Sequence, residues 1–242
     1  KGAPAADLAL IATPAGSHAA LAMELLRSGH HLLIEKPLCA STAEAAQMQA
    51  GADRLGRILA VGHFRRFFPA LDTVRSMIES GVFGKVRRIV ADEGGVFRWP
   101  TASDAFFVRE KGGGGVTLDV GIHMLEVLVS WLGVPSIEDY ADDAMGGVEI
   151  NSAIKLRWPG GTQADIRLSW DVELANRYRI EFERATVTWR CGQATDLLVE
   201  IDGVPAPLLS TCRQPGGARV GHSLPPHGYL GAFTAQWRGV AG

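Results

Sequence analysis

Three short apolar runs constrain this chain most: "DLALIAT" (7–13), "HHLLIEKP" (30–37) and "RILAVGH" (57–63). Each is bounded by turn residues and is too short for a helix, so each reads as a buried strand. Between the first two, Ala19, Ala22, Met23 and Leu26 recur at helical spacing, with Gly29 as a stop. Between the second and third lies "STAEAAQMQAGADRLG", where Ser41 or Thr42 can cap a helix and Glu44 follows Ser41 by three residues, the pattern of a capping box. Strand–helix–strand–helix–strand with short loops forces parallel strands joined by right-handed crossovers. Residues 1–62 therefore predict the C-terminal half of a Rossmann-type, doubly wound parallel sheet. Ligands of such sheets bind beyond the carboxyl ends of the strands.

After His63 the rhythm changes. "FPALDTVRSMIESG" predicts a helix and leads into "KVRRIVADEGG", a loop carrying Trp99, Phe106 and Phe107, and then "GGGGVTLDVGIHMLEVL" (112–128). From Gly147 the chain alternates with period two. Val148, Ile150, Ile154, Leu156 and Trp158 share one parity, interrupted by Ser152; after the turn "PGG", Ala164, Ile166, Leu168 and Trp170 run back. "RYRIEFERATVTWR" and "LLVEIDGVPAPLL" continue as hairpins, the second turning at Asp202-Gly203, and "YLGAFTAQWRGVAG" closes the chain as a helix. One apolar and one polar face per strand describes an open, mostly antiparallel sheet with one side buried. The expected fold class is α/β (α+β overall), with a parallel α/β part at 1–62 and an α+β part at 63–242. The sheet face rich in Val, Ile and Trp would need covering, and a second copy of the chain is the expected cover, giving a homodimer or homotetramer.

Composition narrows the function. The chain is 47% hydrophobic and 21% charged with a formal net charge of −2. Its basic residues are scattered among acids, which excludes a nucleic-acid footprint. The apolar runs read as too short and too often broken by charge to span a membrane. Cys39, Cys191 and Cys212 are odd in number and far apart, so they read as reduced thiols of a cytoplasmic enzyme and not as a disulfide framework. No His/Cys/Asp spacing suggests a metal site.

The chemistry-bearing residues converge on one edge. Asp119 and His123 are four apart on a predicted helix and can share a face. They suit either a self-satisfied core pair or a carboxylate-supported general base. Four preceding glycines would let backbone approach a ligand or another segment closely. "IEKP" places Glu35 and Lys36 at the end of a buried strand; "IATPAGSH" brings Thr13, Pro14 and His18 beside them, and "VGHFRRF" adds His63, Arg65 and Arg66. Each has a plain alternative: surface charge for Lys36, packing for His18, an ion pair within the fold for the arginines. Trp99, Phe106 and Phe107 suit a substrate wall or a core equally.

Taken together, "IATPAGSHAALAMELLRSGHHLLIEKPL", "VGHFRRFFPAL", "SGVFGKVRRI" and "GGGGVTLDVGIHMLEVL" resemble the Gfo/Idh/MocA family of NAD(P)-dependent oxidoreductases, the glucose-fructose oxidoreductase and inositol dehydrogenase type. The resemblance runs from about Asp7 to the C-terminal helix, in the family's order. It implies a partial dinucleotide-binding (Rossmann) domain at 1–62 and a substrate-binding and dimerisation α+β domain at 63–242, with NAD or NADP as cofactor and a sugar, polyol or sugar derivative as substrate. It assigns Lys36, Asp119 and His123 to catalysis, with His123 as general acid/base, Asp119 its partner and Lys36 near both nicotinamide and substrate. Thr13, Pro14, His18, Glu35 and Lys36 would line the cofactor; Lys36, Arg65, Asp119 and His123 would touch the substrate. Where other family members carry Tyr, this chain has His123, as in the inositol dehydrogenase style. The family's G-x-G-x-x-G turn is absent, so the chain is expected to be a fragment with an incomplete cofactor site. Non-redox use of NAD on a glycoside, and a non-catalytic ligand-binding relative, are the alternative readings.

Overall fold

The computed structural model describes residues 6–101, 103–205, 207–211 and 229–241. Cys212 lies outside them. The first sheet is built from β1 (Leu8–Ile11), β2 (His31–Ile34) and β3 (Leu59–Val61), all parallel in the order β1-β2-β3. Helices α1 (His18–Arg27) and α2 (Thr42–Leu55) make the crossovers. The capping box forms as expected. Glu44 N–H donates to Ser41 Oγ at 3.2 Å, and Ser41 N–H donates to Glu44 Oε2 at 3.1 Å. The core of this layer packs Ile11, Leu32 and Ile34 against Met23 and Leu26 of α1 and Met48 of α2. Each such side chain contributes about 1.5–3 kcal/mol on burial. Because the strands are parallel and in register, Thr13-Pro14 and Glu35-Lys36 leave the sheet on the same edge.

The second sheet is larger. It comprises β4 (Val86–Gly94), β5 (Ser136–Asp142), β6 (Asn151–Arg157), β7 (Gln163–Ser169), β8 (Arg177–Phe182), β9 (Ala185–Arg190), β10 (Asp196–Ile201) and β11 (Leu208–Thr211). Their order is β11-β10-β9-β8-β4-β7-β6-β5, and neighbours are antiparallel except β4 and β7. Helices α3 (Pro69–Ser80), α4 (Arg109–Gly112), α5 (Ile122–Leu132) and α6 (Tyr229–Ala241) complete the chain. The even-numbered parity from Ile154 to Trp170 points inward, with Ile154, Leu156, Ile166 and Leu168 each at most 4% exposed. Leu71 and Val74 of α3 and Met124, Val127 and Leu128 of α5 share that core.

Four expectations need correction. The Val, Ile and Trp face of the sheet is not open: the chain's own helices cover it. The face left open carries charge instead, in cross-strand pairs such as Arg88–Asp165 (2.8 Å), Arg167–Asp92 (2.7 Å) and Lys155–Asp139 (3.1 Å). The alternation begins later than the apolar pattern indicates. β6 starts at Asn151, Ile150 is 40% exposed, and the buried residue there is Glu149. Strand β5 escapes sequence reading because all of its residues are exposed, which leaves no apolar period to see. Finally, the helical stretch Arg109–Leu132 is long and apolar enough to cross a membrane by length and composition alone. Its Val116, Met124, Val127 and Leu128 are spent on the core, which identifies it as the central helix of the second layer.

Candidate active site

The edge where β1 and β2 end opens into a cleft of about 390 Å³ lined by Thr13, Pro14, Glu35, Lys36, Phe106 and Asp119, among others. Pro37 follows Lys36 through a cis peptide bond. The Lys36 ammonium donates to Asp119 Oδ1 at 2.5 Å and to the Asp119 carbonyl at 2.9 Å. Both side chains of the pair are 21% exposed, so the pair faces the cleft without being lost to solvent. An ammonium has three donors. Two are fixed on one residue, which leaves the third to a ligand oxygen and aims it.

The glycine run works mainly through close packing. A Cβ on Gly115 would sit 1.9 Å from the Glu149 carbonyl oxygen, and one on Gly112 would sit 2.4 Å from that of Ala105. Glu149 turns inward to accept from the N–H groups of Gly115 and Thr117, both at 3.0 Å. This buried carboxylate satisfies donors at the start of the helical stretch that have no partner within it. Gly112 and Gly114 do reach the cleft wall. Thr117–Gly121 then widens into a π-turn before α5, a local feature that clusters at functional sites.

Asp119 and His123 do not pair. The charged ammonium outcompetes a neutral imidazole for the carboxylate, because a charge-assisted bond is roughly twice as strong. His123 is 7% exposed and its Nδ1 is buried with no hydrogen-bond partner among the described residues. Its ring meets Phe64 edge-to-face, centroids 5.3 Å apart. Burial, then the positive charges of Arg65 and Lys36 and the neighbouring His63, lower its pKa to about 2. His63, whose buried Nδ1 is also without a partner among the described residues, is lowered to about 4 by burial, Arg66 and Lys36.

These shifts fix a sign. An unfolded histidine binds its proton near pH 6.5, whereas the folded ones resist until much lower pH. Below about pH 6.5 the unfolded chain therefore holds more protons, and stability falls as pH falls. Each histidine adds a slope of up to about 1.4 kcal/mol per pH unit. Urea unfolding of wild type and His63→Gln between neutral pH and the onset of carboxylate titration reads this directly. The variant is expected to show the shallower dependence, and equal slopes would contradict it.

Two candidates prove structural. His18 is buried, with Nε2 2.7 Å from the Thr13 carbonyl and Nδ1 3.0 Å from that of Pro37. It ties the loop after β1 to the loop after β2, so it shapes the cleft without facing it. Arg65 is 9% exposed and grips Glu93 with both terminal nitrogens, at 2.5 and 2.7 Å, with Tyr178 Oη at 3.4 Å. A guanidinium at that depth requires a bidentate carboxylate, and Arg65 lines neither this cleft nor the one adjoining it. Arg66 forms an ion pair with Glu126. A second cleft, about 240 Å³, adjoins the first across Asp119 and is walled by Phe97, Trp99 and Trp170. Phe106 and Phe107 pack edge-on against Phe97 and Trp170 from the side. Sequence reasoning missed Phe64, Glu93 and Glu149. Each acts through a contact remote in sequence and leaves no local signal.

Comparison with known proteins supplies the lineage. Residues 1–63 match the oxidoreductase family with an NAD-binding Rossmann fold (GFO_IDH_MocA), and residues 71–188 match the GFO/IDH/MocA C-terminal domain. The trans-1,2-dihydrobenzene-1,2-diol dehydrogenase of Sus scrofa is 28% identical over 214 residues, 86% of this chain and 62% of its own length. The chain thus spans less than two-thirds of that curated relative. Among solved structures, an inositol dehydrogenase homolog from Azotobacter vinelandii complexed with NAD+ superposes with a TM-score of 0.82 at 22% identity, over 98% of this chain and 70% of its own. The aldose-aldose oxidoreductase from Caulobacter crescentus gives 0.80 at 24% identity, over 97% and 69%. With both family segments matched in order and the fold shared along nearly its whole length, the chain belongs to the Gfo/Idh/MocA family of NAD-binding oxidoreductases.

Proposed function

We propose that this chain carries the reaction centre of an NAD(P)-dependent dehydrogenase or reductase that interconverts a hydroxyl and a carbonyl on a sugar, polyol or ring diol. The observation that carries the reading is Lys36, anchored twice on Asp119, the residue that borders both clefts, with one N–H unspent among the described residues. Thr13, Pro14, Glu35 and Lys36 suit the nicotinamide-ribose end of the cofactor, since they lie at the carboxyl ends of parallel strands where such ligands bind. When bound, that cofactor supplies the hydride acceptor or donor. Lys36 donates its free N–H to the substrate oxygen and stabilises the alkoxide that develops there. His123, which lies behind both clefts and lines neither, is the family-implied acid/base, taking the hydroxyl proton in oxidation. Only in its protonated form does it return that proton in reduction, which requires its basicity to rise above the low value that burial gives it. Its Nδ1 is enclosed, so the exchange falls to Nε2. The aromatic wall of Phe97, Trp99 and Trp170 offers a flat apolar face to a six-membered ring.

The test is nicotinamide absorbance followed with a panel of cyclitols, aldoses and ring diols, using the protein that contains this chain and both NAD+ and NADP+. Substrate-dependent reduction of the cofactor is expected. Tight cofactor binding without net turnover would move the non-redox alternative forward.

We also propose that 1–62 and 63–242 act as the two domains, and that a second copy covers the open face of the large sheet. Arg177 and Arg190 stand opposite each other on β8 and β9, and neither has an ion-pair partner among the described residues. Like charges so placed repel, which supports acidic groups from a partner copy above them. A homodimer that weakens at high salt in sedimentation is the expected result. The free thiols of Cys39 and Cys191 support a reducing compartment such as the cytoplasm.

A further inference from the structure

A general base needs its ring held at a fixed angle, and in this site no carboxylate does so. Asp119 is committed to Lys36, and His123 Nδ1 meets no acceptor or donor among the described residues. The imidazole does have an aromatic neighbour. Phe64 meets it at 5.3 Å with the planes 71° apart. Phe64 is itself clamped: Phe233 of α6 stacks on it at 4.8 Å and 28°, and Phe68 meets it edge-on at 5.6 Å and 72°. The short turn that presents Phe64, residues 64–67, is fixed in turn by the buried Arg65–Glu93 pair, which fastens it to the centre of the large sheet. One wedge of rings thus joins the C-terminal helix, the turn after the parallel sheet and the helix carrying His123.

We propose that Phe64, backed by Phe233, is the positioning residue of His123, setting the plane of the imidazole and excluding water from its Nδ1 side in the role a hydrogen-bonded carboxylate would otherwise fill. Edge-to-face ring pairs are directional and are worth about 0.5–1.5 kcal/mol beyond their buried area, enough to select one ring orientation among rotamers. Sealing Nδ1 also leaves Nε2 as the one nitrogen able to exchange a proton. The charged and titratable groups that act on this ring are Arg65 and His63 from the turn region and Lys36 from the loop after β2. All are positive or neutral, so removing the aromatic seal admits water without supplying a new anion.

The inference rests on His123 being the acid/base group, and its test separates the two claims. Histidine ring resonances of the whole chain are followed by NMR against pH in wild type, Phe64→Leu, Phe64→Tyr and Phe233→Leu, with contacts between the His123 ring and residue 64 recorded in parallel. In Phe64→Leu the His123 titration is expected to rise from about 2 toward the ordinary value of about 6.5. Turnover of the cofactor-loaded protein should drop about 10²-fold, as expected for a misplaced catalytic group, with KM little changed. Phe64→Tyr keeps the ring and should restore both readings. Phe233→Leu removes only the outer ring, should move the titration the same way by less, and decides the matter if Phe64→Leu does not melt cooperatively. An unmoved His123 titration and an unchanged kcat in the folded variants would overturn the proposal. If the titration moves while His123→Ala leaves turnover intact, positioning stands and the acid/base reading falls.

Discussion

Lys36→Met is expected to lower kcat/KM for hydride transfer by about 10²–10³-fold, the usual loss when one preorganised donor to a developing oxyanion is removed. Methionine keeps an unbranched stem of similar reach and deletes only the ammonium. Asp119 then loses the partner that holds it at 2.5 Å, and the substrate oxygen loses the third N–H. The same substitution has a second signature. Lys36 is one of the charges that lower both His63 and His123, so both imidazoles should titrate at higher pH in the variant. His123→Ala should cost about 10²–10⁴-fold by removing the proton acceptor. Steady-state kinetics of the two variants beside the wild type check this. A Lys36→Met protein that turns over normally would leave the Lys36–Asp119 pair with a purely structural role.

The largest stability effect lies one layer below. Arg65→Met should destabilise the chain by about 3–5 kcal/mol, because it strands the Glu93 carboxylate that Arg65 alone now neutralises, and it also removes the donor to Tyr178 Oη. For a chain of this size that corresponds to a fall in melting temperature of roughly 6–20 °C. Adding Glu93→Met should recover most of the loss, since an apolar pair of similar volume replaces a buried ion pair at little cost. A double-mutant cycle by urea denaturation measures the coupling. Additive losses in the two single variants, with no recovery in the double, would show that the pair contributes nothing beyond its separate packing.

That pair also marks the boundary between what could be read and what could not. "VGHFRRF" leads to the expectation that Arg65 stands at the ligand edge and touches substrate, but Arg65 lines neither cleft. The direction of its side chain was decided by Glu93 on β4, 28 residues away, and by Tyr178 on β8, 113 residues away. His18 reaches the right edge but is turned onto the carbonyls of Thr13 and Pro37.

Local patterns settled whatever depends on neighbours in the chain. Apolar runs punctuated by Gly and Pro marked the parallel strands, and Ser41 with Glu44 marked the start of α2. Alternation from Ile154 to Trp170 marked the central hairpin of the large sheet, and the family motifs named Lys36 and Asp119, which meet at the cleft. A strand or a cap is written in spacing, because its hydrogen bonds close over a few residues. Tertiary structure alone decided which partner each charged group took. The contest between Lys36 and His123 for Asp119, the inward turn of Glu149 under Gly115, and the ring of Phe64 against His123 are all settled between segments remote in sequence. There the outcome depends on burial and on the relative strength of charged and neutral contacts, neither of which a spacing records.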